Sequence, residues 1–434
     1  MAIMGFKNNR DMVFANIVQQ AVAALIFLFV PKILGVLNYA QVTYATTLLT
    51  FISFADFGLS FVYGRTMPAV YARRDVKEIA IWDSSIIRVR FYAAFIFAIV
   101  ISLNYLNKYD DPFNAALLFL VPPISVIVQF LIASNTSQEL FSVTRDINIL
   151  QAIARLAILP SAMVAGVRGW IVGQFISGIM VLSRKDLRTC CRQHLWSGPK
   201  INWRLIYDNL PEAIYLGLTT TLWMQLLYSG RLFASFMYPD AVIAKYGLAN
   251  SAYQVVSSMM IAAFIPQTVK TYKLLAEDQA YAVNYVFKVI LIALPIIVGL
   301  VIFGSLITPW FFAFFFPEYK MDIRLVIPLI VCLLGYPVIV TLGALLIGMR
   351  CNRLYLTVIV VWLLIDWLIA SKLRPYYSYN SASIAQLVSL SMYAITLLGI
   401  VVYVFREVLK NKLQAFVPVG VIGIGMSISL YLLR

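Results

Sequence analysis

Long apolar stretches, separated by short clusters of charged residues, dominate this sequence. Many of them reach 18 residues or more, which is enough for a helix to cross a hydrocarbon core about 30 Å thick. Only 12% of the 434 residues are charged and 62% are hydrophobic, whereas about a quarter of the residues of a soluble domain are charged. The pattern predicts an all-α polytopic membrane protein and excludes a soluble globular domain.

Turn residues and charges divide the apolar sequence into thirteen predicted spans. These begin near residues 13, 41, 88, 115, 147, 169, 213, 242, 287, 325, 354, 382 and 416. The longest polar interruption follows the sixth span, so that two sets of six spans enter the membrane from the same face. A repeat of this kind predicts two six-helix lobes, related by a pseudo-two-fold axis along the membrane normal and facing each other across a central cleft.

Four domains follow from this division. We predict an N-terminal six-helix lobe over residues 1–183, a cytoplasmic interlobe segment over 184–212, a C-terminal six-helix lobe over 213–405, and a basic linker with an extra hydrophobic helix over 406–434.

The basic residues predict the orientation of the chain. Lys and Arg number 34 against 19 Asp and Glu, a net charge of +15. If the N-terminus is cytoplasmic, most of the excess falls in inner loops, with Arg184, Lys185, Arg188, Arg192, Lys200 and Arg204 in the longest of them. The positive-inside rule therefore predicts a cytoplasmic N-terminus, and the charge does not indicate a nucleic-acid partner. The first apolar stretch runs past Val30 without a small-residue cleavage site and predicts an uncleaved first helix.

The sequence predicts no cofactor and no metal site. Two of the four cysteines, Cys332 and Cys351, fall in or beside apolar helices, and Cys190–Cys191 with His194 match no usual zinc spacing. A phosphate-binding GK[ST] loop does not occur, so we do not expect ATP to drive the protein directly.

Two ionisable side chains interrupt the spans of the first lobe. Each costs about 2.5–3.5 kcal/mol to insert and therefore needs a partner, water or a function. Asp56, in "FADFGLS", and Arg155, in "ARLAILP", lie at a similar predicted depth of ~11 Å from the inner ends of spans two and five. They are candidates for an ion pair. One interpretation is a structural salt bridge or an inward-snorkelling arginine, and the other places one or both in the cleft.

The second lobe carries three further charges within or at the ends of its spans. Arg231 and Lys245, at the predicted outer ends of spans seven and eight, either anchor helix ends at the interface or face the cleft. Asp366, in "LLIDWLIA", is either a partner for Arg231 or a protonatable group. Asp56 and Asp366 are thus candidates for coupling or for structural charges.

Polar side chains gather on three spans at helical spacing, where they line a cavity or join helices. The substrate-binding candidates, which carry no catalytic role, are Arg155, Arg231, Lys245, Asn16, Gln20, Gln225, Asn250 and Gln254.

Four short motifs carry a resemblance to a known superfamily. "PKILGVLNYAQV" followed by "FADFGLS", with "RLAILP" and "FPEYKMD", resembles the multidrug, oligosaccharidyl-lipid and polysaccharide exporters, and within them the Wzx-type O-antigen or capsule flippases. The resemblance implies two six-helix lobes with a cationic central cavity. It also implies a bacterial inner-membrane protein that moves undecaprenyl diphosphate-linked oligosaccharides, with membrane lipids and other polysaccharide assembly proteins as partners. The sequence departs from the pattern at Tyr39–Ala40, where Tyr-Gly is usual, and in its thirteenth segment, Phe416–Leu433.

The chemistry of such a substrate is consistent with the charges. A diphosphate and its sugars need a polar, cationic route through the membrane, and the forked donors of arginine suit the diphosphate. Two alternatives remain: a multidrug exporter of the same superfamily, and a polytopic glycosyltransferase or polymerase. An enzyme of that kind needs catalytic acids in sizeable outer loops, whereas the outer loops here are short. We therefore predict a transporter and not an enzyme.

Overall fold

The computed structural model describes residues 2–138, 140–184, 187, 195–406 and 413–432. Within these ranges the side chains of residues 2–13, 69, 72, 262, 265, 269, 276, 413–415 and 432 are not described. Every regular element of the described residues is helical, which confirms the predicted all-α class.

The chain forms two compact units, Met1–Thr221 and Leu222–Arg434. The division falls within a helix, whereas the predicted domains place the second lobe from residue 213. The helices that begin in the first unit are α1 (Ala2–Thr50), α2 (Leu59–Arg73), α3 (Val76–Tyr109), α4 (Pro112–Phe119), α5 (Val121–Ser137), α6 (Phe141–Arg155), α7 (Ile158–Ser183) and α8 (Trp203–Leu227). A 3₁₀ turn, Phe51–Asp56, joins α1 to α2.

The second unit contains the end of α8 and eight further helices. These are α9 (Ser229–Met237), α10 (Asp240–Glu277), α11 (Gln279–Phe315), α12 (Ile323–Val331), α13 (Tyr336–Gly348), α14 (Asn352–Tyr377), α15 (Ser381–Val404) and α16 (Leu413–Leu432). The last of them packs on α11, α12 and α15. The hydrophobic C-terminal segment therefore forms a helix of this unit, and its crossing of the membrane stays a prediction.

Eight stretches of the described residues are long and apolar enough to cross a membrane. Some hold more than one predicted span: Phe14–Asp56 holds the first and the start of the second, and Asn352–Val404 holds the eleventh and twelfth. The predicted fifth and seventh spans begin on α6 and α8, which lie outside the eight. The chain is a multi-pass membrane protein.

Two glycines turn the chain between predicted spans. Gly35 has φ 68° within α1, and Gly166 has φ 58° within α7. This left-handed backbone costs glycine little because it has no Cβ. The long helical elements α1 and α7 are therefore each two helices joined at a kink.

Aspartates begin four of the helices. Asp75, Asp111, Asp278 and Asp322 accept hydrogen bonds from backbone amides at the starts of α3, α4, α11 and α12, at 2.9–3.1 Å. Such caps satisfy donors that the first helical turn leaves unpaired. These four carboxylates therefore serve as N-caps of their helices.

Two features of the first unit fix the chain between α7 and α8. The Arg88 guanidinium of α3 donates from Nε to the carbonyl of Leu195 at 2.9 Å, and from Nη1 and Nη2 to those of Pro199 and Gly198 at 2.6 and 3.0 Å. The Asn202 amide donates to Ser85 Oγ at 3.0 Å. The end of the interlobe segment is therefore docked on α3.

The start of α8 packs directly on the turn that precedes α2. A Cβ on Gly58, which has φ +73°, would lie 1.8 Å from the carbonyl oxygen of Ala213, and one on Gly217 would lie 2.4 Å from the Gly58 nitrogen. Beside this contact Arg65 forms a two-point ion pair with Glu212, with Nη2–Oε2 at 2.8 Å. The two backbones meet there because neither glycine has a side chain.

Candidate functional site

Asp56 lies at a break in its predicted span. The 3₁₀ turn ends at Asp56, and both Phe57 and Gly58 have positive φ before α2 begins. The break turns the carboxylate toward Ser60, whose Oγ donates to Asp56 Oδ1 at 2.7 Å and whose backbone amide donates to Oδ2 at 3.3 Å. Asp56 is thus held by its own helix start.

The partner of Asp56 is Arg90. Arg90 Nε lies 2.6 Å from Asp56 Oδ1, and the side chains are 2% and 15% exposed. Arg90 Nη2 also donates to Gln129 Oε1 at 3.3 Å. The hypothesis that Asp56 pairs with Arg155 is therefore wrong. It failed because the third span was predicted to begin near residue 88, whereas α3 begins at Val76 and carries Arg90 about 21 Å along its length.

Asp83 of α3 is a buried carboxylate that the sequence analysis missed, because the third span was predicted to begin after it. Asp83, 1% exposed, accepts a hydrogen bond from Tyr63 Oη at 2.5 Å and one from Tyr71 Oη at 3.3 Å. Gln138 Nε2 donates to Tyr71 Oη at 3.2 Å, and Ser134 Oγ lies 3.3 Å from the same oxygen. This network joins α2, α3 and α5. The only sequence signal for it is "YGRTMPAVY", which places two tyrosines eight residues apart.

Arg155 ends α6 as an exposed cation. It lies about 14 residues after the start of α6 and nine before Val164, or roughly 21 and 14 Å from the two ends of this run of helix. Within the described residues it has no acidic partner. An ionisable side chain at such a depth normally faces water, a ligand or an opposite charge.

The other candidates of the first unit, Asn16 and Gln20, are half-buried on α1. This helix packs on α6 and α7. Within the described residues neither amide is hydrogen-bonded to Arg155, so the structure places them on a packed helix without joining them in one cluster.

In the second unit Arg231 is buried on the short helix α9. It is 5% exposed, and its guanidinium carbon lies 5.6 Å from the centre of the Tyr228 ring. The rings of Tyr228, Tyr253 and Tyr336 follow each other at 6.2 and 6.1 Å. Arg231 therefore stands at one end of a buried aromatic row, where a cation over a ring is stabilised.

The break between α8 and α9 is held by one side chain. Gln386 of α15, fully buried, donates from Nε2 to the carbonyl of Leu227 at 2.5 Å and accepts from the amide of Gly230 at 3.0 Å. These backbone groups would otherwise be buried without partners. The amide of Gln386 thus fixes the start of α9 and, with it, the position of Arg231.

The remaining polar candidates of the second unit differ in how far they are exposed and in what they contact. Lys245 Nζ lies 5.7 Å from the Tyr379 ring centre. Asn250 is fully buried and donates to the carbonyl of Tyr246 at 3.2 Å, while Gln254 is exposed and Gln225 is 4% exposed. They do not form one cluster in the described residues.

Asp366 is a buried carboxyl group on α14. It is 1% exposed. The buried hydroxyls of Ser229 and Ser389 lie beside its carboxyl oxygens and are polar groups that can hydrogen-bond to them. Neither of its two predicted roles, as a partner for Arg231 or as a protonatable group, is tested by the contacts of the described residues, and both stay predictions.

The described residues contain no cluster of His, Cys, Asp and Glu that could hold a metal ion. The prediction that Cys190, Cys191 and His194 bind no metal concerns residues outside the described ranges.

Comparison with known proteins gives a fold. No family model matches the chain, and no curated protein matches its sequence. Solved structures do match. A eukaryotic MATE transporter matches with TM-score 0.64 at 14% identity, over 97% of this chain and 99% of that one. An inward-facing multidrug resistance MATE transporter of the MOP superfamily matches with TM-score 0.62 at 14% identity, over 92% and 99%. The lipid II flippase MurJ, in an inward closed conformation, matches with TM-score 0.61 at 13% identity, over 98% of each chain. The two-lobed helical chain therefore has the fold of the MATE transporters and of MurJ.

Proposed function

We propose that this protein is a flippase that moves undecaprenyl diphosphate-linked oligosaccharide repeat units, of O-antigen or capsule type, from the cytoplasmic to the outer leaflet of a bacterial inner membrane. The observation that carries the proposal is Arg155. Asp56 is neutralised by Arg90 at 2.6 Å, so it does not compensate Arg155. Arg155 is an exposed guanidinium with no acidic partner among the residues that the structure describes, and such a group in an apolar helical region suits an anionic substrate.

The fold supports this class of substrate but does not select it. MurJ is described as a lipid II flippase, and a diphosphate-linked glycolipid has the same physical problem of moving a charged head group through hydrocarbon. The net charge of +15 is also favourable for a polyanionic head group.

A second candidate is multidrug export, because the MATE likenesses are as strong as the likeness to MurJ. The two functions differ in what Arg155 would do: it would attract a diphosphate and repel a cationic drug.

Asp366 is the group we assign to energy coupling. Burying a carboxylate without a cation is unfavourable in free energy. The carboxyl group is therefore most stable when it is neutral or when it binds a cation. Uptake and release of a proton or a monovalent cation there would link the state of the second unit to an ion gradient.

The test is transport by the purified protein in liposomes that contain an undecaprenyl diphosphate-linked oligosaccharide, with a lectin outside reporting arrival in the outer leaflet. We expect transport by the wild type and a transport rate that is roughly 10- to 100-fold lower for Arg155→Gln. This factor corresponds to the loss of charge-assisted hydrogen bonds, which contribute about 1.5–3 kcal/mol. Arg168→Gln is the matched control, since Arg168 is an exposed arginine of the same unit beyond the Gly166 turn.

Two results would reject the proposal. One is transport by Arg155→Gln at the wild-type rate, with equal amounts of folded protein. The other is a protein that moves no glycolipid but lowers drug sensitivity in cells from which other exporters have been deleted, which would establish the second candidate.

A further inference from the structure

An open groove runs along the second unit between α10 and α11. Its volume is about 680 Å³. Both helices belong to stretches long enough to cross a membrane, Asp240–Leu275 and Gln279–Phe315. Much of the α11 side is apolar and exposed, with Ile292 60%, Ile296 64% and Leu300 49% exposed. These residues fall within an apolar stretch long enough to cross a membrane, so we infer that the open side of the groove contacts lipid.

One end of the groove is polar and cationic. Lys270 and Lys288 line it, and both are exposed. Lys270 Nζ lies 4.6 Å from the Tyr285 ring centre, and Tyr285 Oη donates a hydrogen bond to Gln267. None of the described residues that line the groove is acidic. The two ammonium groups are therefore available to a negatively charged head group.

The lengths of the two helices place the lysines at the height of a membrane surface in our inference. Lys270 is eight residues before the turn at Asp278 and Lys288 is ten after it, so both lie roughly 12–15 Å from the turn. With 38 and 37 residues, α10 and α11 are each about 55 Å long, well beyond a core of about 30 Å. The turn therefore projects from the membrane, on the side that the basic loops predict to be cytoplasmic.

The length of the apolar part matches one leaflet. From Lys288 to Leu300 the helix rises roughly 18 Å, against about 15 Å for half of the hydrocarbon core. If the phosphate of a lipid binds at the two lysines, an acyl chain of that lipid that reaches Leu300 would end near the middle of the bilayer. An acyl chain of a phospholipid fits this length, whereas an undecaprenyl chain is several times too long.

We propose that this groove, defined by its ends at Lys270–Lys288 and Leu300, is a binding site for an anionic phospholipid of the inner leaflet. The phosphate lies between the two ammonium groups, the tyrosine rings sit at head-group level, and one acyl chain follows Ile292, Ile296 and Leu300. Anionic lipids are concentrated in the cytoplasmic leaflet, which favours this occupant over a zwitterionic one. The site is independent of the transported substrate.

The test is binding of phosphatidylglycerol and phosphatidylcholine to the full-length protein, measured by native mass spectrometry after delipidation. We expect preferential binding of phosphatidylglycerol, about fivefold weaker for Lys270→Ala and about 25-fold weaker for Lys270→Ala/Lys288→Ala. Lys273→Ala is the matched control. It removes the same charge from the same helix, and Lys273 is exposed but does not line the groove. Lys270→Arg/Lys288→Arg should keep the preference.

A second measurement tests the acyl part. Ala293 lines the groove, and Ala293→Phe should weaken binding without a change of charge, whereas Gly299→Phe, at an open position outside the groove, should not. A photo-cross-linking residue in place of Ile296 should capture phosphatidylglycerol from the membrane. Capture of a polyprenyl lipid instead, equal binding of the two phospholipids, or equal loss in Lys273→Ala would each overturn the proposal.

Discussion

The pair between Asp56 and Arg90 allows a quantitative test of the first unit. Arg90 is 2% exposed, so Asp56→Asn leaves a buried guanidinium that keeps its hydrogen bond to Gln129 but loses the charge of Asp56, at a cost of about 3–5 kcal/mol. Asp56 is 15% exposed and keeps both bonds from Ser60 when Arg90 is replaced by Met. Its loss of a partner should therefore cost less, about 1–3 kcal/mol.

The order of the two single variants is thus a prediction in itself, Asp56→Asn being the less stable. The double variant Asp56→Asn/Arg90→Met has no buried charge and should recover at least 2 kcal/mol of the summed losses. The assay is unfolding of the purified protein in detergent by added SDS, followed by tryptophan fluorescence.

A parallel cycle provides the control. Asp56 and Arg155 are not paired in the structure, so Asp56→Asn with Arg155→Met should be additive. Coupling of less than about 0.5 kcal/mol between Asp56 and Arg90, or stronger coupling to Arg155, would refute the assigned pair.

Three further predictions concern the glycine contact, the helix break and the buried acid. Gly58→Ala should lower the yield of folded protein in a size-exclusion assay, because its Cβ would lie 1.8 Å from the Ala213 carbonyl oxygen, whereas Gly64→Ala, with nothing within 4 Å, should not; equal yields would contradict the contact. Gln386→Leu should destabilise the protein in SDS unfolding by about 2–6 kcal/mol, since two buried backbone groups lose their partner at about 1–3 kcal/mol each, and an unchanged midpoint would show that the break is held otherwise. Asp366→Asn, which keeps the shape of the side chain, should leave abundance unchanged and abolish the response of glycolipid transport to an imposed proton or sodium gradient; transport that still follows both gradients would exclude Asp366 from coupling.

Much of the fold could be predicted because it depends on composition and periodicity. The all-α class and the multi-pass topology follow from apolar stretches that must satisfy their backbone groups internally, as helices do. Boundaries were less predictable. Charged residues continue within α3 for several turns past Val76, and a hydropathy pattern cannot separate a polar helix end from a loop.

The candidate site shows the same limit at the level of single residues. Sequence reasoning identified Asp56, Arg155 and Asp366 from the cost of placing charge among apolar residues. It could not identify Arg90 as a partner, because pairing depends on the rotation of two helices about their axes. Nor could it identify Ser229 and Ser389, since serines between helices are common packing residues.

The docking of the interlobe segment on Arg88 has an evolutionary consequence. All three acceptors of the guanidinium are main-chain carbonyls, those of Leu195, Gly198 and Pro199, and every amino acid supplies such an oxygen. The segment can therefore change its side chains without losing this anchor. Position 88 has no such freedom, because lysine offers a single ammonium where the guanidinium reaches three separate oxygens. Sequence drift should accordingly be rapid from residue 196 to 199, where the side chains are mostly exposed, and slow at residue 88 and at the buried Leu195, a contrast that an alignment of relatives would reveal.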